Sequence, residues 1–254
     1  MVFRNYLIIT VLDYPHRMIP KKIHYCWFGR GEMPELAKKC IESWHKFMPD
    51  YEYYLWNEDN YDINSNQYAK EAHESGKYAF VSDVVRLNAL NEFGGIYFDV
   101  DFIVYKPFDD LLSYSAFAGF EGSRYNPVMM GVIASEAHGE WVQEQIRRYE
   151  DRHFIVNGKM DLTTNVKFIT DYMQARGFKQ NGQEQNYKDL HVFPVDYFCP
   201  KLTTGEYLFS ERTYCEHLGQ DSSWATKSLK GRILDRFSPK FRTFLIQLKR
   251  RLVK

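Results

Sequence analysis

Residues 80–101 read FVSDVVRLNALNEFGGIYFDVD, and this stretch decides the fold class. Its apolar side chains recur at helical spacing in the first part, which predicts a helix over residues 78–93. Two consecutive glycines, Gly94 and Gly95, end that helix. The chain then continues into an apolar strand predicted over residues 96–104.

Charged side chains interrupt both of these elements. Asp83 and Arg86 lie three residues apart and therefore share one face of the helix. Side chains alternate along a strand, so Asp99 and Asp101 point the same way, together with Tyr97. Two carboxylates about 7 Å apart on a buried strand repel each other and are costly to desolvate. A divalent Mg²⁺ or Mn²⁺ ion removes both costs and can bridge the phosphates of a nucleotide. The competing interpretation is a pair of solvated carboxylates at a strand end.

The residues before this stretch predict a parallel sheet. An apolar run over residues 23–28 indicates a first strand, residues 34–47 a helix, and residues 51–56 a second strand. Strand, helix and strand in this order favour a Rossmann-like α/β fold with a mostly parallel sheet flanked by helices. Ligands of such sheets bind beyond the carboxyl ends of the strands, where we expect Trp27 and Asn57.

Residues 80–101 resemble, in order, spacing and residue type, the signature of sugar transferases with a D-x-D motif. Such transferases include bacterial capsular-polysaccharide transferases, yeast outer-chain mannosyltransferases and, more distantly, the glucosylating domains of large clostridial toxins. Residues 19–29 and 43–60 also resemble the start of the bacterial members. The resemblance implies a GT-A fold and a retaining, metal-dependent hexosyltransferase that uses a nucleotide-diphosphate sugar.

The same resemblance assigns catalytic roles to four residues. It implies that Asp83 and Arg86 contact the hydroxyls and diphosphate of the donor, that Asp99 touches ribose and metal, and that Asp101 binds the Mn²⁺ or Mg²⁺ ion. No other carboxylate is clearly placed as a nucleophile, which favours front-face displacement over a covalent intermediate. In that reaction the metal and Arg86 stabilise the leaving diphosphate.

Nucleotide contacts are also implied by the resemblance. Trp27 is expected to stack on the nucleobase, Asn57 to lie near the base or ribose, and Tyr97 to lie under the nucleotide. A core tryptophan is the competing interpretation of Trp27. The resemblance of Trp27 favours a uridine-diphosphate sugar over guanosine-diphosphate mannose. The stretch Thr163 to Asn165 opens a predicted helix and either points at the sugar or only caps the helix.

Late in the chain, the sequence HLGQDSSW resembles the closing loop of related transferases. Its His217 is a candidate third metal ligand, and an ordinary loop histidine is the alternative. Ser222 or Ser223, together with Trp224, would reach the diphosphate as hydroxyl and indole N–H donors. Asp221 is a competing contact for the metal or the acceptor.

Three segments are expected along the chain. Residues 1–17 form an extension without family likeness, residues 18–226 the transferase domain, and residues 227–254 a basic amphipathic segment. The last segment contains ten Lys or Arg against one acid, in a chain whose formal net charge is zero. We expect it either to dock on an anionic membrane or to pack as a helix on the acidic remainder of the chain.

The amino-acid composition argues against some classes of protein. Hydrophobic residues make up 44% and aromatic residues 17% of the chain, which argues against disorder. Four cysteines without paired spacing indicate reduced thiols in a cytoplasmic protein, peripheral on the inner face of the membrane if residues 227–254 dock there. Clustering of basic residues in one terminal segment, and not across a folded face, argues against nucleic-acid binding.

We therefore predict transfer of a sugar to a glycan or lipid-linked glycan acceptor in surface polysaccharide (capsule) synthesis. The alternatives are a protein-modifying glycosyltransferase, a non-catalytic module that binds sugar nucleotides, and a phosphatase whose nucleophile is the first Asp of a D-x-D motif.

Overall fold

The structure is a computed structural model that describes residues 18–122 and 127–219. The segments predicted over residues 1–17 and 227–254 lie outside the described residues. The strands are β1 (Lys22–Cys26), β2 (Glu52–Trp56), β3 (Gly95–Phe98), β4 (Phe102–Val104), β5 (Ala116–Phe120), β6 (Val128–Ser135), β7 (Ile155–Val156), β8 (Lys159–Met160), β9 (Gln185–Tyr187), β10 (Leu190–Phe193) and β11 (Cys215–His217). The α-helices are α1 (Glu35–Phe47), α2 (Gln67–Glu74), α3 (Tyr78–Phe93), α4 (Glu140–Glu150), α5 (Asn165–Gln174) and α6 (Val195–Phe198). Short 3₁₀ turns occupy Ile63–Ser65 and Asp109–Leu111.

The central sheet has the strand order β2-β1-β3-β6-β5-β10-β9. Strands β2, β1, β3, β5 and β10 run in one direction, whereas β6 and β9 run in the opposite direction. Two apolar clusters cover its two faces. Residues of α2, α3, α4 and α5 pack in one cluster, and residues of α1, α6, β4 and β11 pack in the other. The predicted α/β class, with a mostly parallel sheet flanked by helices, is confirmed.

The junction between α3 and β3 shows why two glycines stand there. Gly95 has a φ of 116°, and a Cβ at this position would lie 2.6 Å from the carbonyl oxygen of Lys22 in the neighbouring β1. A residue with a side chain would be strained at that φ and would push β1 and β3 apart. The glycine pair therefore lets the buried helix turn directly into the centre of the sheet.

The predicted strand over residues 96–104 is wrong as one continuous element. The backbone N–H of Asp99 makes a last hydrogen bond to Gly131 of β6 (2.7 Å), and the N–H of Phe102 then closes a turn onto the carbonyl of Asp99 (3.2 Å). Beyond this turn, β4 pairs with β11 in a separate two-stranded sheet. The acidic pair therefore sits at a turn between two sheets, and strand alternation does not set the direction of Asp101.

No helix of the described ranges is both long and apolar enough to span a bilayer.

Candidate active site

A pocket of about 390 Å³ opens at the carboxyl-terminal edge of the central sheet. Trp27 follows β1, Asp99 follows β3 and Glu121 follows β5, and all three line this pocket. The first turns of α3 and α5 complete the wall. The topology therefore gathers residues from distant parts of the chain at the edge where ligands of α/β sheets bind.

Arg86 is the centre of a buried ionic cluster on one wall of the pocket. Its Nη2 donates to Asp83 Oδ1 at 3.0 Å, and its Nη1 donates to the carbonyl of Met130 at 2.6 Å. The same Nη1 lies 3.3 Å from Asp99 Oδ1. The guanidinium also lies over the ring of Tyr97, 4.5 Å from its centroid, and Tyr97 donates its hydroxyl to Asp99 at 2.9 Å. The helix and the strand of the sequence prediction thus contribute to one contact network. The helix supplies Asp83 and Arg86, and the strand supplies Tyr97 and Asp99.

Burial dominates the electrostatics of this cluster. It raises the pKa of Asp83 to about 7, with Arg86 opposing the rise and Asp99 adding to it. Burial lowers the pKa of Arg86, but the charges of Asp99, Tyr97 and Asp83 outweigh it and leave the pKa of Arg86 above its ordinary value. The pocket therefore contains a fixed cation that only partly offsets the carboxylates around it.

Asp101 and His217 form a second pair beside the first cluster. His217 Nε2 donates to Asp101 Oδ2 at 3.0 Å, and the imidazole stacks on Phe102 with ring centroids 4.6 Å apart. Burial lowers the pKa of His217, but the hydrogen bond to Asp101 and the nearby negative charges outweigh it, so the net shift is upward. The pairing of β11 with β4 places His217 opposite Phe102, and so beside the acidic turn.

The donor types around the turn fit a divalent cation. Carboxylate oxygens suit Mg²⁺ and Mn²⁺, and imidazole is a further acceptable ligand. The side chains as they stand are paired differently, with Asp99 on Arg86 and Asp101 on His217. Within the described ranges, no three His, Cys, Asp or Glu side chains are grouped closely enough to hold a metal ion. The assignment of Asp99, Asp101 and His217 as a ligand set stays a prediction.

Of the residues predicted to contact the nucleotide, Trp27 lies in the pocket wall and Asn57 does not. Trp27 is half-buried in the pocket wall, where its Nε1 donates to the carbonyl of Gly31 at 2.6 Å. Asn57 does not line the pocket; its side-chain oxygen accepts from the N–H of Asp59 at 2.8 Å in the loop after β2. Of the predicted closing-loop contacts, those of Asp221, Ser222, Ser223 and Trp224 lie outside the described residues.

Three further residues also line the pocket, Thr164, Asn165 and Glu121. Thr164 caps α5 by accepting from the N–H of Lys167 (3.3 Å), while Asn165 is buried in the pocket wall near Asp83 and favours the ionised form of that carboxyl group by lowering its pKa. Glu121 follows the apolar run of β5 and also lines the pocket. A single acid after an apolar strand was the available signal for Glu121, but nothing local shows that β5 lies two strands away from β3.

The chain has recognisable relatives. Residues 34–118 match the family described as "Glycosyltransferase sugar-binding region containing DXD motif". The chain is 26% identical over 176 residues to "Subversion of eukaryotic traffic protein A" of Legionella pneumophila, in an alignment that covers 57% of this chain and 27% of that protein. It is 35% identical over 106 residues to "Inositol phosphoceramide mannosyltransferase 3" of Schizosaccharomyces pombe, covering 39% of this chain and 28% of that protein.

The chain thus spans little more than a quarter of the length of these curated relatives. Among solved structures, it is similar to "PaToxG Glycosyltransferase", with a TM-score of 0.47, 20% identity, and coverage of 64% of this chain and 71% of that one. The matched residues 34–118 contain α3, the Gly-Gly junction and the acidic turn. The region that matches this family therefore includes residues 80–101, the stretch on which the resemblance was based.

Proposed function

We propose that the chain is a metal-dependent, retaining glycosyltransferase that moves a hexose from a nucleotide-diphosphate donor to a glycan acceptor. The observation that carries the proposal is the contact between Arg86 and Asp99, which joins the helix and strand halves of the DXD region in one pocket. A fixed guanidinium beside an acidic turn suits a diphosphate that is bound through both a cation and an arginine.

The residues of the pocket have different roles in the proposed reaction. Arg86 is held by the carbonyl of Met130 and by Asp83, so its position is set before a ligand arrives, and it stabilises negative charge on the leaving diphosphate. Asp83 and Asn165 offer polar groups to the hydroxyls of the donor sugar. Asp99 and Asp101 would hold Mn²⁺ or Mg²⁺, which supplies charge neutralisation and Lewis acidity at the diphosphate when bound.

The proposed transfer is a front-face displacement. The acceptor oxygen forms a bond to the anomeric carbon while the bond from that carbon to the diphosphate oxygen breaks, and the electron pair leaves with the nucleoside diphosphate. The proton of the acceptor hydroxyl passes to the departing oxygen. Anomeric configuration is then retained without a covalent enzyme intermediate.

The proposal also specifies a class of donor and a class of acceptor. We favour a uridine-diphosphate sugar on the resemblance at Trp27 alone; Trp27 lies in the pocket wall, where it can stack on a base. A mannosyl donor is the second candidate, favoured by the similarity to a protein named as a mannosyltransferase. A glycan of a bacterial surface polysaccharide is the proposed acceptor, and a protein acceptor or binding without catalysis are the alternatives.

A panel of nucleotide sugars tests this proposal. We expect the chain to show a higher unfolding temperature with one nucleotide-diphosphate sugar when Mn²⁺ is present, and to lose the shift in EDTA. The same donor should be hydrolysed slowly in the presence of Mn²⁺. A simple phosphate ester that is hydrolysed in place of every nucleotide sugar would support the phosphatase alternative instead.

We also propose that the protein works in the cytoplasm at the inner face of the membrane, through residues 227–254. Their ten basic residues support binding to anionic lipid, with about 1 kcal/mol for each residue near the surface. Co-sedimentation with anionic vesicles at low salt tests this: the full chain should pellet, and a version that ends at Thr226 should not. If both stay in the supernatant, the membrane proposal is wrong.

A further inference from the structure

Glu121 occupies the far side of the pocket from Trp27. Along the sheet, Trp27 follows β1, Asp99 follows the adjacent β3, and Glu121 follows β5, which β6 separates from β3. All three strands run in the same direction, so these residues lie in that order along one edge. A donor with its base at Trp27 and its diphosphate at Asp99 would therefore have its sugar, and the incoming acceptor, toward Glu121.

The backbone around Glu121 is held on both sides. Its own N–H donates to the carbonyl of Pro127 at 2.8 Å, and the next carbonyl, that of Gly122, accepts from the N–H of Thr203 at 2.7 Å. A Cβ on Gly122 would lie 2.7 Å from the carbonyl oxygen of Lys201, so the chain is also closely packed at this point. The backbone of Glu121 is thus held in place at the wall of the pocket.

Among the residues that the structure describes, the carboxyl group of Glu121 has no hydrogen-bonding partner that would explain its position. It makes no hydrogen bond or ion pair with any group in residues 18–122 and 127–219. Burial raises its pKa, with His217 opposing the rise and the charge of Asp99 adding to it. A partly buried acid left without a partner costs free energy unless a ligand supplies a hydrogen bond.

Two ligand chemistries can satisfy such a group, a cation or a hydroxyl. The cation of the proposed function is already assigned to Asp99 and Asp101, which leaves a hydroxyl as the ligand of Glu121. A hydroxyl group needs only one acceptor oxygen in line with it. A sugar alcohol entering beside the donor provides such a hydroxyl.

We propose that Glu121 accepts a hydrogen bond from a hydroxyl of a pyranoside acceptor that neighbours the attacking hydroxyl, and so orients the attacking oxygen toward the anomeric carbon. This inference rests on the proposed glycosyl transfer. The bonds that form and break are those of the front-face displacement, and the proton of the attacking hydroxyl still passes to the departing diphosphate oxygen. Glu121 thereby selects between a sugar acceptor and water as the nucleophile.

The partition of the donor between transfer and hydrolysis tests this role. The wild type and Glu121→Gln are supplied with Mn²⁺, UDP-glucose or GDP-mannose, and the methyl glycosides of glucose, galactose and mannose. We expect Glu121→Gln to lower the ratio of glycoside product to free sugar by about tenfold, because a hydrogen bond to a charged carboxylate is replaced by a weaker one to a neutral amide. Hydrolysis without acceptor, the Kd for the nucleoside diphosphate and the unfolding temperature should stay close to wild type.

Each outcome bears on the inference. Glu52→Gln, the same exchange at an exposed position of β2, is the matched control and should leave the ratio unchanged. An unchanged ratio in Glu121→Gln, or a wild type that hydrolyses donor without transfer to any of the glycosides, overturns the role of Glu121 alone. A parallel loss of hydrolysis and transfer in Glu121→Gln shows that the residue acts on the donor, and also overturns it. A wild type that consumes neither donor overturns the proposed function and this inference together.

Discussion

The two halves of the acidic site are built in different ways. The Arg86 cluster joins α3, β3 and β6 inside the central sheet, and the side chains of Arg86 and Asp83 are 5% and 8% exposed. The pair of Asp101 and His217 lies on a turn and on a short strand of a separate two-stranded sheet, with side chains 15% and 23% exposed. The first half is part of the core of the fold, whereas the second is attached to its edge.

Because of this difference, we expect the two halves to respond differently to substitution. Groups held by several buried partners cannot change partner without a large cost, so the Arg86 cluster is a preorganised electrostatic frame. A pair with one mutual contact can exchange it for a ligand at low cost. We therefore expect substitutions of Arg86 or Asp83 to lower stability as well as activity, and substitutions in the second half to remove activity from a folded protein.

The largest expected effect is that of Arg86→Met on stability. The substitution leaves the buried carboxylate of Asp83 without its cation, which typically costs about 3–5 kcal/mol. Denaturant unfolding measures this loss. Arg30→Met is the control, because the ion pair of Arg30 with Asp59 is more than half exposed and its loss should change stability little. Equal, small losses in both variants would show that the cluster does not stabilise the fold.

Unlike Arg86→Met, Asp101→Asn should lower activity and leave stability unchanged. We expect turnover to fall by about 100-fold or more, because one charged ligand of the proposed metal is lost. The unfolding temperature should hold, since an amide oxygen can still accept from His217 and the repulsion with Asp99 is relieved. Asp171→Asn, at an exposed ion pair of α5, is the control and should retain activity. Unimpaired turnover of the variant, or of the wild type in EDTA, would contradict the metal assignment.

Glu71, a carboxylate outside the pocket, provides a case in which we expect stability to change and activity to stay the same. Burial alone would raise the pKa of Glu71, but hydrogen bonds outweigh it and lower the pKa to about 2. The donors are Gln67 Nε2, His153 Nδ1 and the N–H groups of Phe154 and Ile155. Glu71→Gln should cost about 1–3 kcal/mol of stability at neutral pH, with unchanged turnover at low temperature.

The pH dependence of that loss has a defined sign. A depressed pKa in the folded state stabilises the protein above the unfolded pKa of about 4.5, and this contribution disappears as the pH falls toward 2. The difference in stability between wild type and Glu71→Gln should therefore shrink from pH 5 downward. A difference that stays constant with pH would show that the ionised carboxylate is not the origin of the effect.

The smallest expected effect is that of Trp27→Ala on nucleotide affinity. Loss of a stacking partner for the base should raise the Kd for UDP by about tenfold, with little change in stability because Trp27 is only half-buried. Calorimetry with UDP and Mn²⁺ measures it. The same Kd in both proteins would show that the base binds elsewhere.

The elements with strong local signals were predicted well. The helix over residues 78–93 has the predicted bounds, and α1 begins one residue after its predicted start. Both carry apolar residues at helical spacing, and their ends are marked by glycine or proline, so local sequence is sufficient. The strand over residues 96–104 failed because Asp99 makes the last hydrogen bond to β6, a partner more than thirty residues later in the chain.

Sequence by itself determined the elements around the acidic pair and the kinds of side chain that they carry, because helical and strand periodicity are local properties of the chain. Tertiary structure alone decided which of these side chains meet. Arg86 reaches Asp99 because β3 leads back along α3, His217 reaches Asp101 because β11 pairs with β4, and Glu121 faces the same pocket because β5 lies two strands from β3. These encounters depend on strand order and register, which follow from burying the two faces of the whole sheet and not from any one segment.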